Sequence, residues 1–494
     1  MTELTLADVI EGLTGHRPLA PQPIQRVVID SRQAAAGSLF VALPGDNQDG
    51  HAFVPHAFQS GAIAAVIHQP VADVAERPVI QAGHPARTEL NQNDLPICIQ
   101  VEDSLKGLQA LATFWRNRFN PRVIGITGSV GKSTTKELVA AVLATRFQTL
   151  KNEGNLNNEI GLPLTLLNLT AAHRRVVLEM GMYDVGEIAL LCHIARPQVG
   201  VVTNVGPTHL ERLGTLERIV QAKTELVQAL PPMSASGEAG GVAILNHDDP
   251  LVMSMASHTT AQVLTYGLSP EADLWADDVV SMGLEGVRFV LHYQGEATHL
   301  KIPLLGQHSV HTALRAALVG LVEGLDWEDI VNGLQALPKA AQLRLVAISG
   351  PKDSILLDDT YNASPASTIA ALNLLDDLTG ARKIAVLGDM LELGNYEEEG
   401  HRKVGCRAAD VVDLLIVVGS PARFIAAEAR ACGLEPACVL EMPDKEAIIA
   451  HLASILASDD IVLIKGSNAQ RLDKIVSALM ERREKEMIAR TGKA

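Results

Sequence analysis

One segment constrains the fold of this chain more than any other: Val123-Ile-Gly-Ile-Thr-Gly-Ser-Val-Gly-Lys-Ser-Thr-Thr135. A β-rich run, Arg122–Thr127, leads into a glycine turn, and a helix-forming stretch, Lys136–Leu143, follows. Glycine is needed where the backbone turns tightly and approaches an anion with no Cβ in the way. Main-chain N–H groups of Gly128, Ser129, Val130, Gly131, Lys132, Ser133 and Thr134 can then point at phosphate oxygens, helped by the helix start. In such a loop Lys132 reaches the β- and γ-phosphates of a nucleotide and the Ser133 hydroxyl ligates Mg²⁺. The spacing departs from the common phosphate loop, because Ile126 stands where that pattern has glycine. No Asn-Lys-x-Asp segment is present to read guanine, so ATP is the expected nucleotide.

At 494 residues the chain exceeds what one core organises. Three regions are expected: 1–103, 104–336 and 337–494. The first has short apolar runs, Ser38–Leu43 and Ala62–His68, and an exposed loop over Ala82–Asp94. The second opens with an amphipathic stretch, Leu105–Phe119. Its runs Arg175–Met180, Val199–Val205 and Gly241–Asn246 read as buried parallel strands. The third alternates regularly. Strands are expected at Ser354–Asp358, Lys383–Leu387, Leu414–Val418 and Ile461–Ile464, with helices at Ala366–Leu378, Glu397–Ala409, Ala422–Ala431 and Lys445–Leu456. The predicted fold is α/β: a small N-terminal α/β domain, a central phosphate-loop domain with a parallel sheet, and a C-terminal doubly wound, Rossmann-like domain. The basic end, Arg482–Ala494, reads as a solvated helix terminus.

Charge narrows the partners. With 41 basic against 57 acidic residues the net charge is −16, which disfavours nucleic acid. The five cysteines are scattered and show neither metal-ligand spacing nor a disulfide framework, as in a reducing compartment. No apolar run is long enough for a membrane span and the start lacks the pattern of a secretory signal, so a cytoplasmic location is expected.

The loop TGSVGKST resembles the ATP loop of the Mur ligases, and further segments resemble the same family in order. Asp30-Ser-Arg32, Pro44-Gly-Asp46 and Asp49-Gly-His51 are similar to its UDP-sugar-binding domain. Gly154-Asn-Leu-Asn-Asn-Glu-Ile-Gly161 and Asp358-Asp-Thr-Tyr-Asn-Ala-Ser-Pro365 look like the D-alanyl-D-alanine-adding (MurF-type) branch. Leu387-Gly-Asp-Met-Leu-Glu-Leu-Gly394 and Lys465-Gly-Ser467 match the C-terminal domain. The resemblance implies an ATP-dependent amide ligase with UDP-MurNAc-tripeptide and D-Ala-D-Ala as substrates, acting as a monomer. ATP would phosphorylate a carboxylate, and an amine would attack the acyl phosphate.

It also implies site residues. Glu179, His209 and Lys223 would join Ser133 as metal ligands, with Lys223 carbamylated; Lys132, Lys223 and His209 would serve catalysis. Asn157 and Asn158 would line the active-site floor, Asp359 would meet the ribose, and Arg344 would stand at the interdomain hinge. Ser31 and Arg32 would bind the UDP-sugar, and Asn362 and Ser364 would approach nucleotide and dipeptide. Two features depart from the pattern. Ser309 and Thr312 replace two asparagines of the family's Gly-x-His-Asn-x-x-Asn, which leaves His308 or the main chain to hold adenine. Gln342-Leu-Arg344 replaces a Pro-Gly-Arg hinge. Because the sites lie on all three regions, the outer domains are expected to close over the central one. Two other readings stand beside this one: an idle nucleotide-binding homologue, against which intact Lys132, Ser133, Glu179, His209 and Lys223 speak, and another amide ligase of the family, either tripeptide-forming or a folylpolyglutamate synthase.

Overall fold

The computed structural model describes residues 3–45, 48–82, 89–234, 240–336 and 345–491. Among these, the strands form three sheets. The N-terminal sheet holds β1 (Arg26–Val28), β2 (Ser38–Val41), β3 (Ala62–Ile67), β4 (Val79–Gln81) and β5 (Ile97–Gln100), all parallel in the order β1-β2-β3-β5-β4. Of the stretch expected as an exposed loop, residues 83–88 lie outside the described residues, and the rest departs from that expectation at Leu90. Leu90 is buried, and its N–H donates to the Leu19 carbonyl, because this leucine completes the core under the N-terminal sheet.

The central sheet comprises β6 (Arg122–Thr127), β7 (Thr149–Lys151), β8 (Arg175–Glu179), β9 (Val199–Val202), β10 (Val242–Asn246), β11 (Gln262–Gly267), β12 (Leu274–Ser281), β13 (Val287–Tyr293) and β14 (Glu296–Ile302). Its order is β14-β13-β12-β11-β10-β9-β6-β8-β7. The expected strands β6, β8, β9 and β10 are parallel, as are the unforeseen β7, β11 and the start of β12, but β12, β13 and β14 form an antiparallel ribbon that extends the sheet. Alternation marks the ribbon: Leu300 and Ile302 of β14 are buried in the core while Lys301 between them and His299 beside them are exposed.

The helix Ser104–Asn117 joins the first two units. Asp103 caps it, accepting from the N–H groups of Leu105 and Lys106 at 2.8 and 3.0 Å. Its buried face, including Leu108, Leu111 and Trp115, belongs to one core shared by Leu39 and Ile99 of the N-terminal sheet and Val123 and Leu178 of the central one. Trp115 satisfies its indole N–H on the Leu169 carbonyl at 2.9 Å.

The C-terminal sheet contains β15 (Val346–Ser349), β16 (Ile355–Asp359), β17 (Arg382–Gly388), β18 (Leu414–Val418), β19 (Val439–Met442) and β20 (Asp460–Lys465) in the order β15-β16-β20-β17-β18-β19. All neighbours are parallel except β15 with β16. Ile384 and Val386 of β17 face one apolar cluster while Ala385 and Leu387 face another. Burial on both faces is why these strands read as near-continuous apolar runs.

The cysteine expectation needs one correction. Cys406 and Cys432 form a disulfide, because the helices Glu397–Val411 and Ala422–Ala431 pack together and bring their Cα atoms to 5.4 Å. Cys98, Cys192 and Cys438 are free. The cysteines therefore no longer argue for a compartment. Among the described residues no helix is long and apolar enough to cross a membrane.

Candidate active site

Three neighbouring strand ends build the site. Strand β6 lies between β8 and β9, and the loop Gly128–Gly131 leaves the C-terminal end of β6 before the helix Lys132–Ala144. Gly128 has φ +143°, and a Cβ there would collide with the Thr203 hydroxyl; Gly131 caps the helix in the left-handed region at φ +85°. The segment after β9 pins the loop. Asn204 accepts from the Val130 N–H at 2.9 Å, and its amide donates to the Val130 carbonyl at 3.0 Å. The Thr203 hydroxyl donates to the same carbonyl at 2.7 Å, and Ser129 Oγ exchanges hydrogen bonds with Gly206. Lys132 curls over the loop, its Nζ donating to the Gly128 carbonyl at 2.8 Å. The ammonium is thus held against the glycine turn.

Glu179 ends β8, paired in register with Ile126 just before the loop. The residue is 2% exposed. Oε1 accepts from Asn157 Nδ2 at 2.9 Å, while the buried Oε2 has no hydrogen-bond partner. Asn152 fixes the region from below: it accepts from the Glu179 N–H at 2.9 Å and donates to the Leu156 carbonyl at 2.8 Å. The fully buried Lys136 in turn donates to the Asn152 carbonyl at 2.7 Å. Asn158 differs from its partner Asn157, because its amide oxygen accepts from the Gly161 N–H at 2.9 Å and starts the helix Gly161–Leu166. Both asparagines line the cleft, but Asn158 spends its acceptor on the helix.

His209 follows β9 in the left-handed region, φ +59°, and its Nδ1 lies 2.5 Å from Oε2 of Glu392, which the C-terminal unit supplies. That contact leaves Nε2 as the ring atom available to a ligand. Lys223, on the helix Leu216–Gln228, is buried, and burial followed by the nearby Lys132 charge pushes its amine well below the usual lysine range. Burial of this kind disfavours the charged form of an amine. Among the described residues no group of three or more His, Cys, Asp and Glu side chains forms a ready metal cage. The donor set nevertheless fits Mg²⁺, which takes one or two carboxylates and completes its shell with water and substrate phosphates; the orphaned Glu179 oxygen is such a carboxylate.

Two cavities meet at the loop. One, of about 470 Å³, is lined by Lys132, Asn157, Glu179, His209, Asn362 and Ser364 among others. The other, about 400 Å³, runs from Ser129–Gly131 and Thr134 to His308, His311, Thr312, Arg315 and Asp359. Ser129, Val130 and Ser364 line both, so residues of the C-terminal unit already converge with the loop. Asp359 ends β16 and pairs with the buried Lys465. Ser364 caps the helix Pro365–Asp377, and Asn362 turns its amide oxygen onto the Ala363 N–H. Desolvation at the cavity wall lowers His308 to about 4, although the residue keeps a solvent-exposed edge. The hydroxyls that stand for the missing asparagines are committed elsewhere: Ser309 donates to the Leu305 carbonyl, and Thr312 accepts from Arg315.

Ser31 and Arg32 lie outside both cavities. Ser31 is buried, and the exposed Arg32 clasps Asp30, which falls to about 2 through that hydrogen-bonded pairing. Arg344 and the rest of Gln342–Arg344 lie outside the described residues. Asn152, Lys136 and Arg315 escaped sequence reading, and Glu392 entered it only within the Leu387–Gly394 match, with no role of its own. Arg315 carried a signal that went unused: a single arginine inside an apolar helical run, Thr312–Val322.

Comparison with known proteins places three family models along the chain. They are described as Mur ligase family, catalytic domain (residues 23–116), Mur ligase middle domain (126–320) and Mur ligase, glutamate ligase domain (343–468). A curated UDP-N-acetylmuramoyl-tripeptide–D-alanyl-D-alanine ligase of Synechocystis sp. is 37% identical over 460 residues, 92% of each chain. A crystal structure of MurF from Acinetobacter baumannii is 27% identical, with TM-score 0.82, covering 97% of this chain and 100% of the other. MurF ligase from Thermotoga maritima in complex with ADP is 28% identical, with TM-score 0.76, covering 94% and 99%.

Proposed function

The chain belongs to the Mur ligase family, and we propose from that premise that it joins D-alanyl-D-alanine to UDP-N-acetylmuramoyl-tripeptide, using ATP. The observation that carries this reading is the convergence on one phosphate loop of Lys132, the orphaned Glu179 carboxylate and two cavities closed by C-terminal residues. The curated relative and the ADP-bound structural neighbour bear the same activity and nucleotide in their names. We assign the working units to 1–103, 104–336 and 337–494, and the protein to the cytoplasm as a monomer.

The chemistry divides between the cavities. Main-chain N–H groups of Gly128–Thr134 and the Lys132 ammonium hold the triphosphate, with the adenosine directed toward His308 and Asp359. A carboxylate oxygen of the tripeptide, presented in the Glu179–His209 cleft, attacks the γ-phosphorus; the bond to the β-phosphate oxygen breaks and ADP remains on the loop. The dipeptide amine then attacks the acyl carbon, and collapse of the tetrahedral intermediate expels phosphate and leaves an amide. No protein nucleophile is required, only positioning and charge neutralisation. Ser133, Glu179, His209 and Lys223 would hold Mg²⁺, which screens the charges of the phosphates. Glu179 contributes its free Oε2, and Asn157 holds the carboxylate in place from Oε1. The lowered amine of Lys223 favours the free electron pair that carbamylation needs. Ser31 and Arg32 remain our choices for the UDP-sugar, with Asn157, Asn158, Asn362, Ser364 and the hinge residue Arg344 around nucleotide and dipeptide.

The test is reconstitution. Purified protein with ATP, Mg²⁺, UDP-MurNAc-tripeptide and D-Ala-D-Ala should give the amide and one phosphate per bond formed. Phosphate release that ignores the dipeptide would overturn the assignment.

A further inference from the structure

Arg315 is a buried charge that the proposed reaction leaves unused. It lies on the helix Ser309–Val322 among Ala313, Leu314, Ala316 and Leu318, and it is 3% exposed. Its guanidinium is held in a fork: Nη2 donates to Thr312 Oγ1 at 2.7 Å and Nη1 to the Tyr266 hydroxyl at 3.3 Å. Both partners are neutral. The third donor, Nε, is buried with no partner. No described carboxylate pairs with this cation; Asp248, which faces the same helix, is taken by His311 at 2.8 Å.

A buried guanidinium with no counter-charge is costly unless something anionic completes it. Its location says what that is. Arg315 lines the cavity that begins at the phosphate loop, and its Nη2 is the heavy atom nearest to a Cβ built on Gly131, at 3.3 Å. Gly131 is the cap of the helix Lys132–Ala144, where main-chain N–H groups face anions.

We propose that Arg315 is a nucleotide-positioning residue, whose guanidinium meets a phosphate of the bound nucleotide at Gly131, from the cavity that Lys132 does not line. The proposal rests on the ATP reading and adds to it a second cation. It also explains Thr312, whose hydroxyl orients the guanidinium instead of touching the base.

The experiment is binding of ADP and of adenosine to wild type, Arg315→Met and Arg315→Lys, by calorimetry or competition, with thermal unfolding of the ligand-free proteins alongside. Losing a charge-assisted contact should weaken ADP binding to Arg315→Met about 10- to 100-fold, while adenosine affinity stays within about twofold. Arg315→Lys should recover part of the loss, because it keeps the charge without the fork. Ligand-free Arg315→Met should unfold at the same or a higher temperature, since an uncompensated buried charge is gone. Unchanged ADP affinity overturns the proposal. So does an equal loss for adenosine, which would place the contact on the base, and so does a lowered unfolding temperature with the weakened binding, which would make Arg315 structural. If wild type binds no ADP, the nucleotide reading itself falls; if wild type binds and Arg315→Met binds equally well, only the role of Arg315 does.

Discussion

Asp359 and Lys465 stand opposite each other in register at the C-terminal ends of β16 and β20, and Lys465 Nζ lies 2.5 Å from Asp359 Oδ2 with both side chains buried. Lys465 also donates to the Asn362 carbonyl at 2.9 Å, which fixes the segment that carries Asn362 and Ser364 into the site. One ion pair therefore sets the wall that the C-terminal unit turns toward the phosphate loop.

Removing one member should be far worse than removing both. Asp359→Ala leaves an ammonium buried without its counter-ion, a change that typically costs about 3–5 kcal/mol. Asp359→Leu with Lys465→Met replaces the pair by apolar volume and should regain most of that stability, while activity stays low in both. Urea unfolding of the two singles and the double measures the coupling. Equal stability for Asp359→Ala and wild type would show that the pair contributes nothing net.

His308 makes stability depend on pH. Burial lowers its folded-state value to about 4, against 6.5 for an unperturbed histidine. Between those values the unfolded chain takes a proton that the folded chain refuses, so the contribution is complete above pH 6.5 and is lost as pH falls toward 4. The residue keeps a solvent-exposed edge, so screening makes its contribution smaller than the full shift would give. His308→Gln should flatten the slope of unfolding free energy between pH 7 and pH 4.5. Part of the slope should survive, because His401 is also lowered by burial. An identical pH profile for the variant would sink the assignment to His308.

Gly128 tests the loop without touching a charge. Alanine at this position needs a positive φ and meets Thr203, which itself holds the Val130 carbonyl. The loop must shift, and displaced phosphate donors should lower kcat by about 100-fold or more. Gly154, also at positive φ but with nothing within 4 Å of a Cβ, is the control: alanine there should cost only its backbone strain. Similar activities for the two variants would show that clearance at Thr203 does not matter.

Much of this was legible in the chain. The strands β6, β8 and β18 fall within a residue of their expected limits, because buried parallel strands are short apolar runs bounded by turn residues. The phosphate loop was legible for a related reason, since its glycines answer a local backbone demand. What sequence did not disclose depends on contacts between distant segments. Nothing near Glu392 says that it will reach His209 across a domain boundary, and nothing near Asn152 says that it will cradle Glu179. The disulfide escaped for the same reason, its cysteines being 26 residues apart on separate helices. The ribbon β12–β14 was missed because half-exposed alternation gives a weaker signal than a buried run.

Lys223 offers the sharpest chemical test of the metal side. A lysine in water is protonated and cannot add to carbon dioxide; this one is buried and lies near the Lys132 charge, and both push it toward the free amine. Carbamylation would convert it to an anion, which attracts the Lys132 ammonium and supplies oxygen ligands toward Mg²⁺. Protein equilibrated with ¹³C-bicarbonate should show a carbamate carbon resonance that Lys223→Ala lacks. Lys223→Arg should lose activity although its charge equals that of a protonated lysine, because guanidinium stays protonated and forms no carbamate. Activity in Lys223→Arg close to wild type, or no carbamate signal in an active preparation, would remove Lys223 from the ligand set and leave Ser133, Glu179 and His209 to hold the ion.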